Sequence, residues 1–266
     1  MRVCWHGSCS YSLELGGVEL LVDPSFSRLG DYGPWFIPNP GAPDFSAYAA
    51  AHRPEAVLIS HGHFDHFDLE TVRRLEKAFS PRFCGSGAVT DTIARHFQVP
   101  RERLLSLADG ESLGLAQGLA VTALAGQHWY TGSAGDEAAA KLDRPERYGV
   151  MPCGGPMLAF KLEGASATAY LSGDNMLDGI PALSVDLAVL CIGGPARDAV
   201  TGQLTYSILR PQELPLAAKR LGARVVVPVH YDFGMLGSSD CSEVPAELPV
   251  GVRLLVPRYN EWVDLG

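Results

Sequence analysis

Apolar residues in this chain gather in short runs broken by Gly, Pro, Asn and Asp, the pattern of buried strands, and only a few stretches show helical spacing. The opening segment reads as a β-meander over residues 2–6, 11–15 and 18–22, with Gly16-Gly17 suited to a two-residue hairpin turn. Ala56-Val57-Leu58-Ile59 is a short run typical of a buried strand. Helical spacing covers 69–78, with Asp68 as N-cap, then 88–97, then 211–221 with Pro211 in the first turn. Further strands are expected at 82–84, 119–124, 157–162, 168–171, 187–192 and 225–229, and the tail 252–263 reads as closing strands. Such an alternation predicts a strand-rich α/β chain.

Two stretches have no apolar period. Residues 25–46 combine dense proline with Tyr32, Trp35 and Phe36, so a long irregular loop is expected, walling a pocket beside Asp23. The polar stretch 129–155 reads as a lid or specificity loop.

Length and composition narrow the class. A chain of 266 residues accommodates one large domain or two small ones. Its 47% apolar and 19% charged residues are those of a globular protein, and no apolar run has the length of a membrane span. Met1-Arg2-Val3-Cys4-Trp5-His6 meets a polar residue too soon for a secretory signal, so a cytoplasmic location is expected. The six cysteines form no C-x-x-C pair and are expected reduced and mostly buried. A net charge of -9 without a Lys/Arg-rich run argues against nucleic acid as partner and leaves a small-molecule substrate.

The candidate chemistry lies just past the run 56–59, in Ser60-His61-Gly62-His63-Phe64-Asp65-His66-Phe67-Asp68. Three of the chain's eight histidines fall within six positions there, around a carboxylate. While the backbone stays extended, His61 and His63 point to one side and can grip one ion. Asp65 and His66 are adjacent and diverge, so they reach more easily to a second ion. Imidazole and carboxylate suit borderline or hard divalent metals.

The pattern H-x-H-x-D-H after an apolar strand resembles the metallo-β-lactamase superfamily, matching at His61, His63, Asp65 and His66. The family's later motifs follow in order: Gly126-Gln127-His128, Ser172-Gly173-Asp174 and Val227-Pro228-Val229-His230, with Asp23 early after an apolar strand. Within the superfamily the chain is similar to the L-ascorbate-6-phosphate lactonase group, through Ile192-Gly193-Gly194-Pro195, Leu209-Arg210-Pro211-Gln212-Glu213-Leu214 and His230-Tyr231-Asp232. The resemblance implies a single domain over 1–266 with an αββα sandwich, two mixed β-sheets flanked by helices, and metals at the edge where the sheets meet.

It further implies that His61, His63 and His128 hold one ion, that Asp65, His66 and His230 hold a second, and that Asp174 bridges them. Asp23 would stand behind the ligands and orient one. The implied ions are zinc or manganese, with iron also suited. The implied activity is hydrolysis of a small ester or lactone, the substrate carrying a phosphate in some relatives, with Asp65 steering the attacking water or its proton. A phosphodiesterase of the phospholipase-like branch is the alternative, and a non-hydrolytic metal-binding protein on the same fold is a third reading. His6, Trp129, Arg197 and Tyr231 are nominated as substrate contacts. His6 stands two residues before the family's usual Gly-His position, which is Ser8 here, and Arg197 could grip an anionic group.

Overall fold

The computed structural model describes residues 1–28, 31, 37–128, 155–197, 204–232, 243–244 and 248–266. The chain begins with the expected meander, β1 (Arg2–Trp5), β2 (Tyr11–Leu15) and β3 (Val18–Val22). Gly16 and Gly17 both take positive φ, 63° and 83°, which is the twist a two-residue hairpin requires. Next come β4 (Ala56–Leu58), α2 (Leu69–Phe79), β5 (Arg82–Gly85), α3 (Gly87–His96) and β6 (Leu104–Ser106), preceded by α1 (Phe45–Ala51). Asp68 caps α2 as expected, its side chain accepting from the amides of Glu70 and Thr71. The described residues of the irregular loop expected over 25–46, namely 25–28, 31 and 37–44, carry no helix or strand, and α1 begins only at its end. The helix is short, yet Asp44 caps it by accepting from Ser46 and Ala47 at 2.9 and 3.2 Å.

These strands form one seven-stranded sheet in the order β16-β1-β2-β3-β4-β5-β6, with β16 at Trp262–Asp264. Pairing is antiparallel from β16 to β3 and parallel from β3 to β6. The second sheet also has seven strands. It comprises β7 (Ser112–Ala116), β8 (Leu119–Ala125), β9 (Leu158–Gly164), β10 (Thr168–Leu171), β11 (Leu187–Cys191), β14 (Val225–Val229) and β15 (Arg253–Leu254), ordered β15-β14-β11-β10-β9-β8-β7. Its first four strands pair antiparallel and the rest parallel. A separate ribbon joins β12 (Ala196–Arg197) to β13 (Leu204–Thr205). The helix α4 (Leu214–Arg220) follows a single 3-10 turn at Pro211–Glu213.

Three apolar layers hold this together. Leu13, Leu20 and Leu58 of the first sheet meet Val121, Phe160, Leu171, Val189 and Val227 of the second in the central core. The next residue along each strand faces outward, so Leu21, Val57 and Phe83 pack under Val72 and Leu75 of α2 and Val89 and Ile93 of α3. Ala188, Leu190 and Val226 likewise lie under Leu214, Ala217 and Ala218 of α4. Both faces of each sheet are therefore covered, which is why the strands read as continuous apolar runs instead of alternating ones. Each buried Leu, Ile or Val is worth about 1.5–3 kcal/mol over its exposed state. The layering is αββα, with two mixed sheets. Among the described residues no helix is long and apolar enough to cross a membrane.

Strand direction decides where the chemistry can sit. β1, β3 and β4 run the same way, as do β8, β10, β11 and β14, so the loops after them gather along one edge. The two sheets are tied there by Leu158, whose amide donates to the Ser60 carbonyl at 2.9 Å.

Candidate metal centre

Four loops at that edge bring His61, His63, Asp65, His66, His128, Asp174 and His230 together. The loop after β4 supplies the first four, and the loops after β8, β10 and β14 supply the others. Most are buried, while His63 is half-buried and stands on the open side.

The ligand atoms of His61, His63 and His128 form one group. His63 Nδ1 lies 2.8 Å from His61 Nε2 and 3.3 Å from His128 Nε2. Tautomers follow from the outer partners. Ser60 donates its hydroxyl to Asp23 at 2.7 Å, so its oxygen is left to accept from His61 Nδ1 at 3.0 Å. His128 Nδ1 donates to the Ser207 carbonyl at 2.8 Å. The Nε2 atoms of both rings therefore present lone pairs toward His63 Nδ1, with at most one proton to share among three nitrogens. A cation at their centre satisfies all three. Burial holds these three imidazoles below their ordinary pKa, His63 at about 3, and neighbouring rings press His61 and His63 further down. They are neutral at pH 7, which is the ligating form.

The second group is charged. His66 Nε2 is 3.2 Å from Asp174 Oδ1 and 3.7 Å from Asp65 Oδ2. His230 Nε2 is 3.2 Å from Asp65 Oδ2 and 3.8 Å from Asp174 Oδ1. The other oxygen of Asp174 faces His128 Nε2 at 3.9 Å, so this carboxylate reaches both groups. Burial works against charge on His66 and His230, but the nearby carboxylates, Asp174 foremost, outweigh it and raise both rings. Burial likewise opposes ionisation of Asp65 and Asp174, yet the imidazoles of His66 and His230 hold both carboxyls below their usual range. His66 Nε2 and Asp174 Oδ1 are fully buried and make no hydrogen bond among the described residues. Orphaned buried polar atoms facing each other at this spacing fit a divalent cation.

Asp23 lies behind the ligand candidates, beside Ser60 and His66. It sits at the end of β3 with φ of 44°, and its carboxylate accepts from the Ser60 amide at 2.7 Å and from His66 Nδ1 at 2.8 Å. That bond turns His66 Nε2 toward Asp174.

Of the nominated substrate contacts, His6 is corrected. Its Nδ1 donates to Asn260 Oδ1 at 2.8 Å and its Nε2 meets Ser12 Oγ at 2.9 Å, within a nest of Phe26, Tyr48 and His52 rings. Both nitrogens are engaged away from the seven ligand candidates, because β1 turns this side chain to the outer face of its sheet. Cys4, His6 and His52 also group their ligand atoms, but His52 Nδ1 is held by Glu19 at 2.6 Å and His6 is occupied as described. His52 is thus a buried packing residue. The Tyr231 ring packs on Trp5 at 4.9 Å. Trp129 lies outside the described residues, as does the side chain of Arg197, and so do Trp35, Phe36 and the stretch 129–154. Four cysteines, Cys4, Cys9, Cys84 and Cys191, are free and buried, as expected; Cys153 and Cys241 lie outside. Ser60 and Ser207 are the contributors that sequence reasoning passed over, since one acts by a hydroxyl within the motif and the other by a carbonyl any residue possesses.

A family model described as the β-lactamase superfamily domain matches residues 19–231, a span that holds all seven ligand candidates and Asp23. The chain belongs to the metallo-β-lactamase superfamily. Among curated proteins it is similar to a UPF0173 metal-dependent hydrolase of Pyrobaculum aerophilum, at 25% identity over 96% of this chain and 95% of that protein. Among solved structures, the chain is similar in fold to the metallo hydrolase Igni18 of Ignicoccus hospitalis, with a TM-score of 0.69, 18% identity and coverage of 98% and 97% of the two chains. An isothiocyanate hydrolase from Delia radicum gut bacteria gives a TM-score of 0.68 at 17% identity, covering 99% and 98%. The two likenesses show a shared fold, which the family match and the two seven-stranded sheets make the metallo-β-lactamase fold.

Proposed function

We propose that this protein is a metal-dependent hydrolase with a two-ion centre, acting on a small ester or lactone. The observation that carries the reading is Asp174, whose Oδ1 stands 3.2 Å from His66 Nε2 and whose Oδ2 faces His128 Nε2 at 3.9 Å, with His66 Nε2 and Asp174 Oδ1 buried and lacking hydrogen bonds. His61, His63 and His128 would hold one ion, Asp65, His66 and His230 the other, and Asp174 both. When bound, divalent ions supply Lewis acidity, making water acidic enough to attack near neutral pH and polarising the oxygen of the scissile group.

The protein's own residues do the rest. Asp23 and Ser207 keep His66 and His128 in the tautomers that face inward. Asp65 is ionised and stands 3.2 Å from His230, so it is the group positioned to orient water or accept its proton at Oδ2. His63, on the open side, marks where substrate approaches. The Pyrobaculum relative's description as a metal-dependent hydrolase supports the reaction type. An all-His/Asp donor set accepts zinc, manganese or iron. The net charge of -9 favours a small molecule over nucleic acid.

Elemental analysis of freshly purified protein, followed by reconstitution with each ion and assay against lactones, simple esters, bis(p-nitrophenyl) phosphate and an isothiocyanate, tests this. Two ions per chain and turnover of lactone or ester are expected. Turnover of the diester alone would assign the phosphodiesterase chemistry instead, and a fully loaded centre inert toward every ester and diester would leave a non-hydrolytic metal protein.

A further inference from the structure

His230 adopts a left-handed backbone, with φ of 72°, and so does Ser8 in the loop between β1 and β2, with φ of 46°. Neither is glycine, so each conformation persists only where surrounding contacts over-determine it. Those contacts are specific. The His230 amide donates to the Ser8 carbonyl at 2.8 Å. The Ser8 amide donates in return to the Asp232 carboxylate, at 3.0 and 3.2 Å to its two oxygens. Two residues of one strand end thus clip both backbone polar groups of Ser8.

The clip is braced on its outer side. Tyr259 donates its hydroxyl to Asp232 Oδ2 at 2.7 Å, and Trp5 Nε1 donates to the same Ser8 carbonyl at 2.8 Å. The Trp5 ring lies between Tyr231 and Tyr259, at 4.9 and 4.7 Å. The loop that Asp232 secures also reaches the other ligand segments. Cys9 Sγ donates to the Asp65 carbonyl at 2.8 Å, and Ser10 Oγ donates to the Asp23 carbonyl at 2.6 Å. Residues 8–10 supply none of the seven candidate ligands, yet they touch the backbone of Asp23, Asp65 and His230.

We propose that Asp232 is a positioning residue: by anchoring Ser8 it locks the backbone of His230 and sets the geometry of the ion site formed by Asp65, His66 and His230. The proposal rests on the two-ion reading for its consequence, but the anchoring itself exists without metal. The carboxylate accepts from both the Ser8 amide and the Tyr259 hydroxyl, and hydrogen bonds to a charged group are the stronger kind, so loss of the charge weakens the anchor. A carboxamide keeps one acceptor and adds a donor that cannot serve the Ser8 amide.

Two measurements on the full-length protein test this, comparing wild type with Asp232→Asn and Tyr259→Phe. In metal-free protein, hydrogen exchange of the segment containing the His230 amide should speed up in Asp232→Asn and, to a smaller extent, in Tyr259→Phe. In titrations with cobalt(II), followed by calorimetry and visible absorption, Asp232→Asn should weaken one of the two ions by about 10- to 100-fold and leave the other nearly unchanged. Unchanged exchange at His230 overturns the proposal, whatever the metal content. Equal weakening of both ions, in step with a lowered melting temperature, also overturns it, because that is what a merely structural role produces. If wild type binds fewer than two ions while the exchange effect appears, the two-ion reading fails and the anchoring by Asp232 stands.

Discussion

His6 sits among aromatic rings with both ring nitrogens bonded, and full burial pushes it down from 6.5 to about 3. Between those values the unfolded chain binds a proton that the folded chain refuses. Stability from this residue is therefore complete above about pH 6.5 and declines as the pH falls toward 3, by up to about 1.4 kcal/mol per pH unit. Urea midpoints measured from pH 7 to pH 4 should fall less steeply in His6→Gln than in wild type; parallel slopes would show that His6 contributes nothing to acid sensitivity. At the same scale, the identity of the ligand candidates was readable from His61-x-His63-x-Asp65-His66, because metal ligation demands particular side-chain atoms at particular spacings. The partner that orients His128 was not readable. A carbonyl, here that of Ser207, exists at every position, so composition carries no trace of it.

Among the turns that deliver these residues, the one after β10 packs closely against Ser60 and Met157. Gly173 has φ of +53°, and a Cβ there would stand 2.8 Å from the Cβ of Ser60 and 3.0 Å from the sulfur of Met157. Gly173→Ala must therefore either strain the backbone, by about 1–2 kcal/mol, or move Asp174 away from His66. Thermal melting should drop by a few degrees, and metal affinity should fall on the order of tenfold, since a displaced ligand is felt at least as strongly as a lost supporting contact. Intact affinity in a folded variant would show that Asp174 tolerates the shift. Elements with a strong local signal emerged as expected, among them the Gly16-Gly17 hairpin and the Asp68-capped helix α2. The elements that did not were short and weakly patterned. Helix α1 spans only Phe45–Ala51 beside a proline-dense loop, and β7 contains Gly114 with an irregular register toward β8, so tertiary packing decides both.

Over the whole molecule, the candidate centre is a joint between two halves. His61, His63, Asp65 and His66 belong to the first sheet, while His128, Asp174 and His230 belong to the second. An ion held by both should stabilise the fold by RT ln(1 + [L]/Kd), about 4 kcal/mol when free ion exceeds Kd a thousandfold. Removing metal with a chelator should lower the melting temperature by several degrees, and returning the ion should restore it. A melting curve indifferent to chelator and added ion would argue against any resident metal. By itself the sequence determined a strand-rich α/β chain, from local apolar runs, and the candidate cluster His61-x-His63-x-Asp65-His66, from side chains with unique chemistry; the αββα layering and the remaining candidate ligands were expectations of the family resemblance. Only the tertiary structure decided that His6 faces outward and that Asp232 clips Ser8 beneath His230. Those outcomes depend on which face a strand presents and on backbone atoms meeting across more than two hundred residues of chain, and neither leaves a mark in residue type.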